Sequence, residues 1–482
     1  MATPPPREKL SPHDLTIVIV IALGSFMAGL DGTIVNIALP DIAKSFDIST
    51  VMVTWVLNAY LIVMVSLLLP ASRIGDRKGY RNIFLAGFVL FTLGSALCGI
   101  APTIGVLVLS RMLQAVGGAI ISALGAVMVT TYLSPSVRGQ ALGIVAMFVM
   151  LGAALGPVAG GFLTSAFTWR SIFYVNLPVG IIAVLLGLRV LPHTDPVAPD
   201  TKLDLPGIIL FFIALSLLVI GLTSAQGDKA VAGIIALVLS LVFWIAFVVQ
   251  ERRAPAPLIR LTLFANRDFT LQNINLLLVQ MSMVGVMVVM PFYLELVKKI
   301  PTDHAGTVLL ALPVGMILTA PAAGRISDVI GTRRPAIAGF ALSAAALALL
   351  STVSSGSGIG FIALVLFLVG AGTGMALSPL TSAVMGEVAA GERGSASGLM
   401  RVMMNLGATL GVAVVMLVAT VAAGPKIAEV SASLIPAGEL AGAMDAAFFF
   451  CMLLEIAGVL LMLAVAEKEP TGESDGDMVV GF

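Results

Sequence analysis

The chain alternates long apolar runs with short polar breaks. The runs reach about 20 residues or more, the length a helix needs to cross a bilayer core of roughly 30 Å. Fourteen are readable, near residues 15–40, 51–72, 82–100, 103–131, 139–166, 171–190, 205–224, 230–250, 269–297, 305–326, 336–353, 358–386, 395–423 and 443–466. Each predicts a membrane-spanning helix, so the expected fold class is an all-α integral membrane protein. The breaks carry most of the charge, and Lys and Arg remain on the cytoplasmic side during insertion. With the N-terminus inside, the inner segments hold 18 of them: Arg7, Lys9, Arg73, Arg77, Lys78, Arg81, Arg138, Arg189, Lys202, Arg252, Arg253, Arg260, Arg267, Arg325, Arg333, Arg334, Arg393 and Lys468. The outer segments hold six, Lys44, Arg170, Lys229, Lys298, Lys299 and Lys426. Both termini are therefore expected in the cytoplasm. Arg111 and Arg401 fall inside predicted helices instead.

The pattern also repeats. At an offset of 255, Arg138, Gly139, Ala141, Gly143, Leu151, Gly152, Ala153, Leu155 and Gly156 recur as Arg393, Gly394, Ala396, Gly398, Leu406, Gly407, Ala408, Leu410 and Gly411. At an offset of 252, Arg73, Ile74, Asp76, Gly79 and Arg81 recur as Arg325, Ile326, Asp328, Gly331 and Arg333. Both offsets exceed half of the 482 residues, as they would if two helices had been inserted between two six-helix halves. The expected layout is a cytoplasmic tail over 1–14, a six-helix bundle over 15–200, a two-helix hairpin over 201–255, a second six-helix bundle over 256–466 and a disordered acidic tail over 467–482. Halves with an even number of helices insert in the same orientation, a plan common among secondary transporters. A channel or a seven-helix receptor does not predict this plan.

Composition narrows the chemistry. A chain that is 59% hydrophobic and 11% charged belongs in a membrane rather than in water. No G-x-x-x-x-G-K-[ST] phosphate cradle occurs, which argues against a built-in ATP motor. His13, His193 and His304 are scattered, with neither metal-ligand spacing nor a Ser/His/Asp set, so neither a metal, a cofactor nor an enzyme activity is expected. Cys98 and Cys451 both sit in apolar runs and say nothing of disulfides. Zero formal net charge gives no reason to expect nucleic acid. The first apolar run is too long for a secretory signal and is expected to stay as the first helix.

The charges left inside the bilayer are the candidates for function. Asp31 lies roughly 14 Å below the outer end of the first helix at about 1.5 Å per residue. A carboxylate there should be paired, hydrated or protonated, which suits either a proton carrier or a structural acid with a fixed partner. Arg111, at a similar depth in the fourth helix, is either that partner or a buried Arg bonded to backbone carbonyls and Gln114. Gly152, Gly156, Pro157, Gly160 and Gly161 combine small residues for close packing with a proline that permits a bend. The glycines at 152 and 156 recur in the second half, whereas Pro157 aligns with Val412. The loop carrying Asp76, Arg77, Gly79 and Arg81, and its counterpart with Asp328 and Arg333, are candidates for an inner gate. Asn36, Asn58, Gln114, Glu295, Arg401 and Glu455 are the polar candidates for a substrate cavity, with snorkelling a competing account of Arg401.

These segments resemble the major facilitator superfamily, specifically its fourteen-helix drug:proton antiporter branch. The run Leu30-Asp31-Gly32-Thr33-Ile34-Val35-Asn36-Ile37-Ala38-Leu39-Pro40 is similar to that branch's first-helix motif. Asp76, Arg77, Gly79 and Arg81 match its inner-loop motif, with Ser72 in place of a Gly and Tyr80 in place of a basic residue. Leu107, Arg111, Gln114, Gly117 and Ala119 match the fourth-helix motif, with Ala115 where Gly is usual, and the set from Gly152 to Gly161 fills the antiporter motif of the fifth. Trp169-Arg170, Phe173, Asn176, Pro178, Gly180, Asp204, Gly207 and the Leu263–Phe269 segment also resemble the branch. The resemblance implies proton-driven efflux of amphipathic or cationic compounds by a monomer in the cytoplasmic membrane. Asp31 and Arg111 would serve coupling, Asp76 and Arg77 the inner gate, and the Gly/Pro set the bend. Glu295 stands where the family often has Gln, and Glu455 maps to no motif. The same fold carrying an endogenous metabolite, lipid or peptide is the alternative, and a non-transporting receptor a more distant one.

Overall fold

The computed structural model describes residues 10–193, 196–197, 203–224, 230–354, 356–389, 392–424 and 437–467. Residues 1–9 of the tail expected over 1–14 and residues 468–482 of the tail expected over 467–482, with Lys202, Lys229 and Lys426, lie outside the described residues. Fourteen helices among those described are long and apolar enough to cross a membrane. They are α1 (Pro12–Phe46), α2 (Thr50–Lys78), α3 (Tyr80–Gly99), α4 (Ile104–Tyr132), α5 (Pro135–Ala166), α6 (Ser171–Val190), α7 (Leu205–Ser224), α8 (Ala230–Arg253), α9 (Arg267–Val297), α10 (Thr302–Ile330), α11 (Arg333–Leu350), α12 (Ile359–Gly386), α13 (Arg393–Ala423) and α14 (Gly438–Ala464). Several run past their apolar cores into polar ends. At the start of α1, Ser11 accepts a hydrogen bond from the Asp14 amide at 3.1 Å, capping a turn that the apolar run alone does not include. Large apolar side chains such as Leu93, Ile235, Leu241 and Leu318 are more than half exposed, the outward face a lipid solvent calls for.

The repeat is a repeat of packing. In the first half α1 lies on α5, α2 and α3 on α4, and α3 on α6. In the second, α9 lies on α13, α10 and α11 on α12, and α11 on α14, the same pairings in the same order. Glycines allow the first of these. A Cβ on Gly152 would strike the Phe26 carbonyl of α1, and one on Gly407 would strike the Leu277 carbonyl of α9. The second repeated segment has an equally local cause. Gly79 (φ 86°) and Gly331 (φ 82°) turn the chain from α2 into α3 and from α10 into α11 in a left-handed conformation that a side chain would strain. Two residues on, Arg81 donates to the Leu188 carbonyl at 2.5 Å, and Arg333 donates to the Met462 and Leu463 carbonyls at 3.1 and 2.7 Å. Each arginine thus ties the start of its half's third helix to the last turn of its sixth.

All fourteen helices cross, so both ends of the described chain lie on one side, called here the termini end, with the far end opposite. Near the far end one buried core joins the halves, with Ile37, Leu39 and Phe173 of the first packed among Val289, Phe292, Leu309 and Phe448 of the second. Nearer the termini end the cores are separate, one built on Phe84, Phe88 and Leu124, the other on Phe269, Phe340 and Leu380. The molecule is closed at the far end and divided at the termini end. Helices α7 and α8 form a hairpin whose Phe211, Trp244 and Phe247 rings lie against Ile62, Val65 and Leu68 of α2 and Val402 of α13. The hairpin therefore touches both halves along one side of the seam.

Candidate functional site

Asp31 and Arg111 meet. Helices α1 and α4 bring Asp31 Oδ2 to 2.7 Å from Arg111 Nη1, with the two side chains 0% and 1% exposed. The other groups around them complete a closed network. Arg111 Nη1 also donates to Gln114 Oε1 at 2.6 Å, and Arg111 Nε donates to the Val56 carbonyl of α2 at 3.1 Å. Gln114 Nε2 donates to Asp31 Oδ1 at 2.9 Å and to Ser95 Oγ of α3 at 3.2 Å. Asn176 Nδ2 of α6 reaches Ser95 Oγ at 3.0 Å and Asp31 Oδ1 at 3.5 Å, and the Ser95 hydroxyl donates a hydrogen bond to the Phe173 carbonyl at 2.9 Å. The guanidinium lies 4.1 Å from the centre of the Tyr60 ring. Burying two charges is costly unless they are paired and their remaining bonds are met; here the charges are paired, both Asp31 oxygens accept, and Arg111 donates through Nε and Nη1. Every member named belongs to the first half.

Helix α5 is tied to the same helix α1. Pro157 has no amide to offer the Ala153 carbonyl one turn earlier. Thr33 Oγ1, two residues from Asp31, lies 3.0 Å from that carbonyl, closer than the 3.3 Å to the Gly29 and Leu30 carbonyls of its own helix. Gly156 and Gly160 face Thr33, Ile34 and Ile37 on α1, while Gly161 crosses the seam to Gly306 of α10. The unrepeated part of the glycine set therefore includes a contact between halves, and the repeated part a contact within each.

At the divided side of the seam lies a cavity of about 400 Å³. It is walled by Met150 and Ala153 of α5, Met316, Ile317 and Ala320 of α10, and Leu377 of α12, with Ser378 and Thr381 supplying hydroxyls. Helices from both halves line it, and no charged side chain does. The sequence-nominated polar residues lie elsewhere. Asn36, Asn58 and Gln114 are buried in the first half, and neither polar atom of the Asn58 amide has a hydrogen-bond partner among the described residues. Arg401 of α13 donates to the Ser122 carbonyl of α4 at 2.9 Å, bridging the halves. Glu295 sits at the far end of α9, near Asp41 of α1, which accepts a hydrogen bond from Thr302 Oγ1 at 3.1 Å. Glu455 is buried in the second half.

The loop candidates are spread over the termini end. Asp76 accepts a bond from the Tyr80 hydroxyl at 2.8 Å, Arg77 and Asp328 are exposed, and Arg81 and Arg333 hold their own halves as described. Arg73, one turn before Asp76, reaches the segment entering the second half, donating to the Ala256 carbonyl at 2.8 Å and to that of Pro257. Ser95, Tyr60 and Asn176 carry no charge, so no intramembrane-charge argument selects them. A lone Asn at the start of the sixth run was the available signal. Thr33 was visible only within a motif, since its partner is a carbonyl that a proline elsewhere leaves free.

The family model described as Major Facilitator Superfamily matches residues 21–411 and 273–478. The riboflavin transporter RibZ of Clostridioides difficile (strain 630) is 33% identical over 397 residues, covering 82% of this chain and 86% of its own length. The tetracenomycin C resistance and export protein of Streptomyces glaucescens is 32% identical over 415 residues, covering 85% and 76%. The multidrug resistance protein Stp of Mycobacterium tuberculosis (strain ATCC 25618 / H37Rv) is 33% identical over 404 residues, covering 83% and 75%. Among solved structures, a bacterial homologue of the human lysosomal transporter Spinster superposes with a TM-score of 0.70 at 15% identity, over 94% of this chain and 97% of that one.

Proposed function

The chain belongs to the major facilitator superfamily, a family of membrane transporters rather than enzymes, and from that premise we propose that it is a proton-coupled antiporter. It exports amphipathic or cationic drug-like compounds across the cytoplasmic membrane by alternating access, as a monomer, with both termini in the cytoplasm. The observation that carries this reading is the sealed Asp31–Arg111 pair. A carboxylate held ionised by one cation takes up a proton once that pairing opens, so exposure of Asp31 and its protonation are linked. Thr33 joins that helix to α5, whose Met150 and Ala153 line the cavity between halves, which gives protonation a route to the substrate path. The cavity's apolar walls suit an amphipathic guest, and Asp76, Arg77, Gly79, Arg81, Asp328 and Arg333 would serve the cytoplasmic gate. The Gly152–Gly161 set with Pro157 would serve the bend that alternates access.

Dye efflux in inside-out vesicles tests this. Transport should stop when the proton gradient is collapsed, and Asp31→Asn should insert normally yet lose proton-driven flux; transport indifferent to the gradient would overturn the reading. A second reading, favoured by the similarity to a riboflavin transporter, keeps the fold and gives it an endogenous metabolite. Accumulation assays with labelled metabolites beside dyes separate the two cargoes.

A further inference from the structure

Helix α14 carries a carboxyl that the first-half network leaves unused. Glu455 lies nine residues, or roughly 14 Å at about 1.5 Å per residue, from the termini end of α14. Its side chain is 1% exposed, and neither carboxyl oxygen has a hydrogen bond of good geometry among the described residues. Two hydroxyls face it from two other helices, Ser282 of α9 and Ser343 of α11. Both serines are 0% exposed, and both Oγ atoms are likewise without a partner. Cys451, one turn away on α14 and 0% exposed, is the titratable neighbour.

No cation among the described residues answers this carboxyl. Of the arginines on the helices packed around α14, Arg401 is committed to the Ser122 carbonyl, and Arg333 to the Met462 and Leu463 carbonyls about two turns away. Arg334 pairs with Glu467 at 2.8 Å, and Arg267 and Arg393 stand at the termini ends of α9 and α13. The acids Asp445 and Glu439 lie toward the far end of α14, Glu295 at the far end of α9 and Asp268 at its first turn. An ionised carboxylate so enclosed would cost several kcal/mol or more, offset by two neutral hydroxyls and by no cation among the described residues. A neutral carboxyl brings one O–H donor and a carbonyl acceptor, and serine hydroxyls both give and take hydrogen bonds. The hydroxyls can bond either form of the acid, so what favours the form carrying its proton is the burial of all three groups with no cation beside them among the described residues.

We propose that Glu455, with the Ser282 and Ser343 hydroxyls, is a proton-binding site in the second half of the molecule, separate from Asp31. The bound species is a single proton taken from water, forming the O–H bond of the neutral carboxyl. Release requires water to part α9, α11 and α14. The site stands on its own geometry; its contribution to transport rests on the antiport reading above.

Infrared pH titration of the full chain in liposomes tests the site without reference to transport. A protonated-carboxyl C=O band is expected at neutral pH in the wild type and in Asp31→Asn, missing in Glu455→Gln and displaced in Glu455→Asp. A wild-type minus Glu455→Gln difference that shows only ionised-carboxylate bands across the neutral range overturns the proposal. A midpoint that moves when sodium replaces choline at fixed ionic strength also overturns it, in favour of a metal cation. In flux assays the proton-to-substrate ratio from reversal potentials should fall by one in Glu455→Gln. An unchanged ratio removes the site from the cycle, whereas a wild-type flux blind to the pH gradient refutes the antiport reading alone and leaves the infrared result standing.

Discussion

The two halves bury one carboxyl each in the membrane and surround it in opposite ways. Asp31 has a cation at 2.7 Å and amide donors from Gln114 and Asn176, drawn from two helices, α4 and α6. Glu455 has two serine hydroxyls, a cysteine and no cation among the described residues. The halves nonetheless share their helix pairings, their turn glycines Gly79 and Gly331 and their arginine ties Arg81 and Arg333. A repeated scaffold therefore does not impose a repeated electrostatic interior. Duplication copies the backbone contacts, and the chemistry of each half is set by the few side chains free to differ.

The largest break in this comparison comes from Arg111→Met, which leaves Asp31 buried without its partner. A loss of about 3–5 kcal/mol is expected, read as thermal stability in detergent, and adding Asp31→Asn should recover most of it. A single variant as stable as the wild type would mean that the pair contributes no more than Glu455's neutral surroundings do. Next come Gly156→Val and Gly411→Val, which wedge a side chain between α5 and α1 or between α13 and α9. Each should cost about 1–3 kcal/mol or more, and by similar amounts, because the shared scaffold is what they strike. Strongly unequal losses would show that the halves differ in packing as well as in charge. The smallest effect is expected for Glu455→Gln, within about 1 kcal/mol of wild type, since a neutral acid and a neutral amide present similar bonds to two hydroxyls. A loss of several kcal/mol would reveal an ionised Glu455 with a counter-ion.

Most of this was readable in the chain because a bilayer makes few demands and strict ones. All fourteen spans follow from run length, and the repeat from nineteen aligned positions. The runs missed polar ends such as Ser11 and Asp14, which water and a cap hold in the helix rather than lipid. Charge at depth singled out Asp31 and Arg111, and their equal depth allowed a meeting that only the crossing of α1 and α4 decides. Gln114 was legible as a neutral partner of Arg111, but the serines were beyond reach, because Ser95, Ser282 and Ser343 look like the many serines that bond back to their own helix. The cavity was beyond reach for the opposite reason: its walls, Met150, Met316 and Leu377, are apolar residues with no mark to separate them from those facing lipid.

One contact on the seam has a mechanical meaning. Gly161 and Gly306 bring α5 and α10 together with no side chain between the backbones, while elsewhere at the far end Ile37, Val289 and Phe292 interlock. Interlocked residues behave as teeth and have to be withdrawn along the direction in which they point. Two bare backbones behave as a bearing, along which one body glides over the other or lifts away with no preferred path. The direction in which the far end opens is then governed less by the strongest contact on the seam than by its smoothest.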